Sequence, residues 1–405
     1  MYKYIKKLGP GLLFAGAAIG VSHLVQSTRA GADFDFGLLW ALLLVHLFKY
    51  PFFQYGPRYT LSTGECLLDG YKKLGTPILV MYFILTFATM FTIQTALTIV
   101  TAGLASTLFG ITQNIILWSA LITGLCMAIL IAGRYKLLDN LMKIIVLTLT
   151  ISTCIAVILA IPDTSVQHTF TQVLPKSDAG IAFLIAFMGW MPAPLDISIW
   201  HSLWALEKKK NIPGYSLKNS IADFNLGYGS TIVLGLLFMT LGALVMFGSG
   251  NTFSGNATLF SEQLISLYTK NLGEAAYILI AIAAFTTMFS TTLTTLDASP
   301  RAMSYTTALL LGQKNRHSYA IWMIILAAGT VAILLYFLSE MKTLIDIATI
   351  LSFVTAPFYA IINFRLICSS HTPERDRPGI TLRIISWLGI IFLVGFSLWY
   401  TITLF

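Results

Sequence analysis

The feature that most constrains this chain is a series of long apolar runs that contain few charges. Hydrophobic residues make up 57% of the 405 residues and charged residues only 10%, whereas a soluble globular domain is about one quarter charged. The runs have the length of about 20 residues that a helix needs to cross a bilayer. Because unpaired backbone groups are too costly in lipid and the alternating pattern of a barrel strand is absent, the sequence predicts an all-α polytopic membrane protein.

Eleven apolar segments cover almost the whole chain and predict eleven spans. They are residues 11–33, 37–57, 76–106, 112–132, 138–161, 180–206, 227–249, 272–298, 319–338, 343–366 and 382–404. The longest polar loops are predicted at about 207–226 and 250–271, and both are too short for a soluble domain. We therefore interpret residues 1–405 as a single transmembrane domain, with spans 1–5 at about 11–161, spans 6–10 at about 180–366 and span 11 at about 382–404.

The basic residues indicate how the chain lies in the membrane. If the N-terminus is cytoplasmic, all but five of the 25 Lys and Arg residues fall on the inner side, in agreement with the positive-inside rule. This topology explains the net charge of +8 without a nucleic-acid partner. The segment Met1–Lys7 is short and basic, and no obvious cleavage site follows it, so we expect a retained first span in a prokaryotic cytoplasmic membrane.

Motifs of soluble enzymes are absent from the sequence. We find no phosphate-binding P-loop, no His-Glu-x-x-His zinc motif and no nucleophile elbow, so we expect neither catalysis nor a bound cofactor. The four cysteines lie far apart, mostly in apolar runs, and indicate neither a metal knuckle nor a disulfide framework. A monomer is compatible with all of these features.

Two of the predicted spans contain residues that interrupt a helix near the middle of the bilayer. In span one, Gly16, Gly20 and Ser22 weaken the helix; in span six, Pro192 and Pro194 each remove a backbone donor. The two spans are equivalent if spans 1–5 and 6–10 are inverted repeats. Paired interruptions of this kind indicate the binding site of a secondary transporter, where freed carbonyls and half-helix ends supply ligands. The alternative is that they only kink and pack the two helices.

Short motifs near these interruptions carry a family resemblance. They are Gly9-Pro10-Gly11, Ala30-Gly31-Ala32, Leu38-Leu39-Trp40, Thr63-Gly64 after Arg58, and His201-Ser202. In these motifs the chain resembles the NRAMP family of divalent-metal transporters. The match needs no insertion or deletion from Gly9 to Gly64. The resemblance implies a LeuT-like fold, with an inverted repeat of spans 1–5 and 6–10 plus an eleventh span, and transport by alternating access.

The chain departs from the family at the positions where the family binds its metal. Gly20-Val21-Ser22-His23 stands in place of the span-one motif Asp-Pro-Gly-Asn, so the carboxylate is missing and His23 replaces the Asn. Counting back from His201 places Pro194-Leu195-Asp196 on the span-six motif Met-Pro-His, and Met191 then falls where the family offers a backbone carbonyl. A register shifted by three residues instead places Met191-Pro192-Ala193 on that motif and restores the thioether.

Span three departs from the family as well. Proton-coupled relatives carry acidic residues there, whereas this chain has Gln94 and no Asp or Glu between Lys73 and Gly133. We therefore do not expect conventional proton coupling through this helix. NRAMP-related magnesium transporters, which also have altered sites and lack proton coupling, are the functional analogy that the resemblance offers.

Six residues form the predicted substrate site. They are Gly20, Ser22, His23, Gln94, Met191 and Asp196, and the metal ligands among them are predicted to be His23, Met191 and Asp196. A carboxylate at a helix centre costs about 2.5–3.5 kcal/mol to insert, so Asp196 is expected to have a partner, either a cation or a structural group such as the unwound backbone or a base. His23 is predicted to be a nitrogen ligand for a transition metal or, alternatively, to hydrogen-bond a carbonyl at the break.

Further polar residues are predicted to act in gating or coupling. They are Arg29, His46, Lys49, Asp223, Asp297 and Arg301. Lys49 is expected to snorkel, to neutralise a carboxylate or to replace a coupling ion, and Arg29 is expected to shape an outer vestibule or gate. Asp297 and Arg301 have the spacing of an inner gate pair or of a simple i,i+4 ion pair.

Three functions fit these features. The first is transport of a divalent cation such as Mn²⁺ or Mg²⁺ by alternating access, without conventional proton coupling. The second is transport of a small organic solute on the same fold, with Trp190 and Trp200 lining a larger pocket. The third is a non-transporting sensor on this scaffold.

Overall fold

The chain folds as a series of helices. The computed structural model describes residues 9–133, 135–161, 167–248, 253–273, 277–313, 315–336 and 341–403. Within these ranges the chain contains no strand, and the predicted all-α class is confirmed. The basic segment Met1–Lys7 lies outside the described residues.

The described α-helices are numbered here in chain order. They are α1 (Pro10–Ala18), α2 (Thr28–Phe34), α3 (Leu39–Thr63), α4 (Leu67–Leu74), α5 (Thr76–Phe109), α6 (Ile115–Ile131), α7 (Tyr135–Ala160), α8 (Asp178–Trp190), α9 (Ile197–Asn211), α10 (Leu217–Met246), α11 (Ala257–Leu272), α12 (Tyr277–Leu311), α13 (Ser318–Tyr336), α14 (Met341–Cys368) and α15 (Ile380–Thr403). A π-helix, Ser22–Ser27, leads into α2, and a 3₁₀ turn, Glu374–Asp376, precedes α15.

The polarity of the surface is that of a protein in lipid. Helices α5, α10, α12, α13, α14 and α15 are each long and apolar enough to cross a membrane, and the bent pair of α1 and Ser22–Phe34 would make a further span. Ile84, Ile158 and Ile391 are each more than half exposed, whereas Lys49 and Asp196 are buried. Because large apolar side chains face outward and charges face inward, the chain is an integral membrane protein.

One predicted loop is a helix. The segment Ala257–Leu272 forms α11, although residues 250–271 were expected to be a polar loop. The Asn256 side chain accepts hydrogen bonds from the N–H groups of Thr258 and Leu259 and so begins the helix. Phe260 and Leu264 are buried on the face that packs against α5. The loop prediction is wrong here because a narrow apolar face is enough to hold this helix.

Close helix packing positions the two interrupted spans. Helices α1 and α2 lie along α10, α8 packs against α14, and α9 packs against α3. A Cβ on Gly31 would overlap the carbonyl oxygen of Met239, and a Cβ on Gly242 would overlap that of Thr28, so glycine is required at both contacts. The first span is thereby held tightly to α10, with its interruption facing that of span six.

Candidate functional site

The first span is interrupted at Ile19 and Gly20. Helix α1 ends at Ala18, and the chain continues as a π-helix from Ser22 after a bend of 47°. The Ser22 hydroxyl donates to the Ala18 carbonyl (2.7 Å), an oxygen that the interruption frees. A Cβ on Gly20 would lie only 2.9 Å from Cγ2 of Thr291, so glycine allows this close approach. The predicted interruption of span one is confirmed.

Span six is unwound over Met191–Asp196, between α8 and α9. Pro192 and Pro194 have no N–H, so the carbonyls of Met188 and Trp190, four residues earlier, have no helical donor. The helix begins again at Ile197, whose N–H donates to the Pro194 carbonyl (3.2 Å). The predicted interruption of span six is confirmed as well.

The two breaks lie side by side and enclose a small cavity. Its volume is about 20 Å³, enough for about one water molecule or one small ion. Its walls include Gly20, Ser22, Trp190, Pro194, Trp200 and Thr291. The Ser22 hydroxyl lies 3.5 Å from the Pro192 carbonyl oxygen, and the Thr291 hydroxyl lies 3.2 Å from that of Gly16. The structure therefore brings predicted site residues Gly20 and Ser22 against the span-six break.

His23 contacts α10 and has no free ring nitrogen. Its Nε2 lies 3.0 Å from the Thr231 carbonyl oxygen, and its Nδ1 lies 2.7 Å from the Ser22 hydroxyl and 3.1 Å from the Ala18 carbonyl oxygen. Of the two roles predicted for His23, these contacts correspond to the hydrogen bond with a carbonyl at the break. A metal could bind His23 only after one of them is broken, and the ligand role stays a prediction.

Met191 and Gln94 lie close to the cavity but contact other groups. The Met191 sulfur accepts a hydrogen bond from the Ser27 hydroxyl (3.8 Å). The Gln94 amide donates to the carbonyl of Thr292 (3.3 Å), while its Oε1 has no partner among the described residues. Neighbours of Gln94 on α5, Ile93 and Leu97, line the cavity.

Asp196 is buried at the beginning of α9. It occupies the N-cap position, where its carboxylate interacts with the backbone N–H groups of Ile197 and of Asp196 itself, while its Oδ1 has no hydrogen-bond partner in the described part of the chain. Among the described residues, no three His, Cys, Asp or Glu side chains come together to hold a metal. Asp196 is also not among the residues that line the cavity, so a cation there would depend mainly on hydroxyl and carbonyl oxygens.

Lys49 and His46 lie on α3 and are both buried. The ammonium of Lys49 donates to the carbonyls of Met188 (2.8 Å) and Gly189 (2.7 Å) at the end of α8. The expectation that Lys49 snorkels is wrong, because the freed carbonyls of span six hold it inside. His46 Nδ1 lies 2.7 Å from the Leu42 carbonyl oxygen, and its Nε2 has no partner among the described groups.

Comparison with known proteins identifies the family. The family model described as Natural resistance-associated macrophage protein-like matches residues 11–403. The chain belongs to the NRAMP family. It is 37% identical over 398 residues to an uncharacterised protein of Pasteurella multocida, and the match covers 96% of this chain and 90% of that protein. It is 25% identical over 307 residues to the divalent metal cation transporter MntH of Staphylococcus saprophyticus, with 72% and 68% of the two chains covered.

The fold agrees with this NRAMP membership. The chain is similar to the crystal structure of the Eremococcus coleocola manganese transporter with a TM-score of 0.76, at 15% identity, over 98% of this chain and 86% of the other. The LeuT-like fold implied by the resemblance is confirmed. Family and fold are those of membrane transporters.

At the α2 end of this NRAMP chain, Arg29 links three spans. Its Nη1 lies 3.3 Å from Asp346 Oδ1 on α14 and 3.3 Å from Gln26 Oε1. Its guanidinium also lies 4.8 Å over the ring of Phe183 on α8. The contact partners agree with a gate at this end, and the gating role stays a prediction.

At the opposite end of the first span, Asp223 caps α1. Its Oδ2 accepts a hydrogen bond from the Gly11 N–H (2.8 Å), and its carboxylate also accepts one from the Gly9 N–H (3.2 Å). A carboxylate at a helix N-terminus is favoured by the helix dipole. Asp223 thus ties the beginning of the first span to α10.

Asp297 and Arg301 form an ion pair on α12. Arg301 Nη2 lies 2.7 Å from Asp297 Oδ1, four residues earlier in the same helix. This is the simple i,i+4 ion pair, one of the two roles predicted for these residues. The Tyr319 hydroxyl on α13 also donates to Asp297 (2.6 Å), so the pair bridges two helices.

Two residues were not predicted from the sequence: Thr291, which lies at the cavity, and Asp346, which contacts Arg29. Thr291 contacts carbonyls of the span-one break, and Asp346 binds Arg29. A signal for Thr291 exists in the sequence, since Thr286–Thr295 is rich in hydroxyl side chains within a predicted span. Asp346 offers no comparable local signal, because only the tertiary fold places it beside the first span.

Proposed function

We propose that the chain is a secondary transporter of a divalent cation such as Mn²⁺ or Mg²⁺, which binds between the two breaks and crosses by alternating access. The main observation behind this proposal is that two interrupted spans line one small cavity in a member of the NRAMP family. Interrupted spans supply carbonyls and helix ends as ligands without costly charged side chains. The names of the MntH relative and the manganese transporter support the class of substrate.

Most residues that line the cavity are apolar, and the groups among them that could bind a metal are oxygens, which favour a hard cation. The hydroxyls of Ser22 and Thr291 and the freed carbonyls are hard oxygen ligands. Asp196 does not line the cavity, but it lies two residues after cavity-lining Pro194 and supplies one negative charge to the break. Because the cavity holds about one small ion, the cation exchanges most of its waters for these protein oxygens. His23 and Met191 then support the broken backbone around the ion, and Gln94 joins α5 to α12 beside the cavity.

The cation crosses without the proton relay of conventional relatives. Helix α5 contains Gln94 and no acidic residue, so it has no carboxylate to carry a proton. Import therefore runs down the gradient of the cation. The N-terminus lies in the cytoplasm of a prokaryotic cell, since this topology places most Lys and Arg residues on the inner side.

A specific observation favours transport of a small organic solute as the second candidate. Trp190 and Trp200 both line the cavity, and the indole N–H of Trp200 has no acceptor among the described residues. A ligand with an apolar body and one acceptor would suit this wall, since a buried indole N–H normally finds a partner.

Binding to the purified protein tests the proposal. We expect Mn²⁺ or Mg²⁺ to raise the unfolding temperature saturably, because a ligand stabilises the state that it binds. In Asp196→Asn the half-maximal concentration should rise about tenfold or more, since loss of the negative charge at the break is worth at least about 1.4 kcal/mol. Asp178→Asn is the control, because Asp178 is exposed at the beginning of α8, the end of that helix away from the break. Stabilisation by organic solutes alone would favour the second candidate.

A further inference from the structure

The ammonium group of Lys49 is enclosed by the broken backbone of span six. Its Nζ lies 2.7 Å from the carbonyl oxygen of Gly189, 2.8 Å from that of Met188 and 3.3 Å from that of Ala193. A lysine ammonium has three N–H donors, so these three carbonyls use its whole hydrogen-bonding capacity. The side chain is 0% exposed, and protein groups alone therefore solvate the charge.

The carbonyls around Lys49 are available because the helix is interrupted. In a continuous helix the Met188 carbonyl would accept from the N–H of residue 192, which is a proline. Ala193 lies in the unwound segment itself. The end of α8 also carries the negative end of the helix dipole, about half an elementary charge. The break thus forms a cation position, and Lys49 fills it.

A free univalent cation has the chemistry to fill the same position. Backbone carbonyls can replace the hydration shell of a small cation, as they do for K⁺ in channel filters. Lysine differs because its charge is attached to α3 by a covalent stem. Asp196 lies close enough to interact electrostatically with Lys49, and this carboxylate favours a cation at the carbonyl position.

We propose that Lys49 is a tethered univalent cation that permanently occupies the carbonyl position at the end of α8. It makes this break independent of Na⁺ and K⁺, and it confines the divalent substrate to the side of the break that faces Gly20 and Ser22. The consequence for the substrate rests on the proposed function, whereas the occupation of the carbonyl position does not. A lysine that served only in packing would be replaceable by an apolar side chain of similar length.

The test is Lys49→Met, which keeps the length of the side chain and empties the carbonyl position. Unfolding of the full chain in detergent is measured in choline chloride and then in NaCl, KCl or NH₄Cl at constant ionic strength. We expect the variant to unfold several degrees below the wild type in choline chloride and to recover saturably with at least one small cation. The wild type should respond to none of them. Lys209→Met is the matched control, since Lys209 donates to the Leu61 carbonyl (3.1 Å) away from the break.

Two results would overturn the tethered cation. One is equal unfolding temperatures for Lys49→Met and the wild type in choline chloride, and the other is a loss of stability that none of the three cations reverses. If Lys49→Met does not fold, Lys49→Gln, which keeps two N–H donors without a charge, is measured in the same way and judged by the same outcomes.

Flux separates this inference from the proposed function. In proteoliposomes, divalent-cation uptake by Lys49→Met should require the univalent cation that restores its stability, while the wild type should transport in choline chloride. A wild type that moves no divalent cation would remove the proposed function, yet the unfolding series would still decide whether Lys49 replaces a cation.

Discussion

The guanidinium of Arg29 lies 3.3 Å from the carboxylate of Asp346, and this ion pair joins the second part of the first span to α14. The side chains are 7% and 27% exposed. The pair is less exposed to solvent than a surface ion pair but is not fully buried. A double-mutant cycle with Arg29→Met and Asp346→Asn should therefore give a coupling energy of about 1–3 kcal/mol. The measurement is thermal unfolding of the four purified variants.

The Lys73–Glu65 pair is the matched control for this cycle. Its atoms are closer (2.6 Å), but its side chains are 43% and 35% exposed. Solvent screening should keep its coupling energy below about 1 kcal/mol. A coupling for Arg29 and Asp346 no larger than that of the control would contradict a structural contact between the two spans.

Replacing Gly31 by alanine should destabilise the protein. The added Cβ would overlap the Met239 carbonyl oxygen on α10, and overpacking of this kind costs about 1–3 kcal/mol. Gly124→Ala is the comparison, because a Cβ on this helical glycine meets nothing within 4 Å. That variant should be neutral or slightly more stable, since alanine is favoured over glycine in a helix by about 0.5–1 kcal/mol. Equal unfolding temperatures for the two variants would argue against the close packing of α2 on α10.

Removing the carboxylate of Asp223 should loosen the beginning of the first span. Asp223→Ala leaves the buried N–H groups of Gly9 and Gly11 without their acceptor, at a cost of about 1–3 kcal/mol. Asp223→Asn keeps one acceptor oxygen and should lose less stability. Protease sensitivity and thermal unfolding of both variants measure the effect. If alanine is tolerated as well as aspartate, Asp223 does not cap α1.

Substitution of His23 separates support of the break from metal ligation. His23→Ala removes the contacts with the carbonyls of Ala18 and Thr231, so stability should fall by about 1–3 kcal/mol. The Mn²⁺ concentration that gives half-maximal stabilisation should change little, in contrast to the result for Asp196→Asn. A large loss of Mn²⁺ affinity in His23→Ala would instead assign His23 as a ligand.

The parts of the structure that could be predicted from the sequence depend on the residues within one segment and not on contacts between distant segments. Apolar runs mark the helices in lipid, and Pro192, Pro194 and Gly20 mark the breaks because they disturb hydrogen bonding within their own turns. Side-chain directions were beyond prediction. The π-helix that follows the first break turns His23 toward Thr231, and the partners of Lys49 come from a span far away in sequence. Such contacts depend on tertiary packing and leave no periodic pattern.

Uptake by proteoliposomes across a panel of divalent ions, with a pH-sensitive dye inside, tests the central claim most directly. We predict saturable uptake of Mn²⁺ or Mg²⁺ along its gradient, without acidification of the lumen, and loss of this uptake in Asp196→Asn. Failure of every divalent ion to cross at any pH would contradict divalent-cation transport. Uptake accompanied by stoichiometric acidification would contradict the absence of proton coupling.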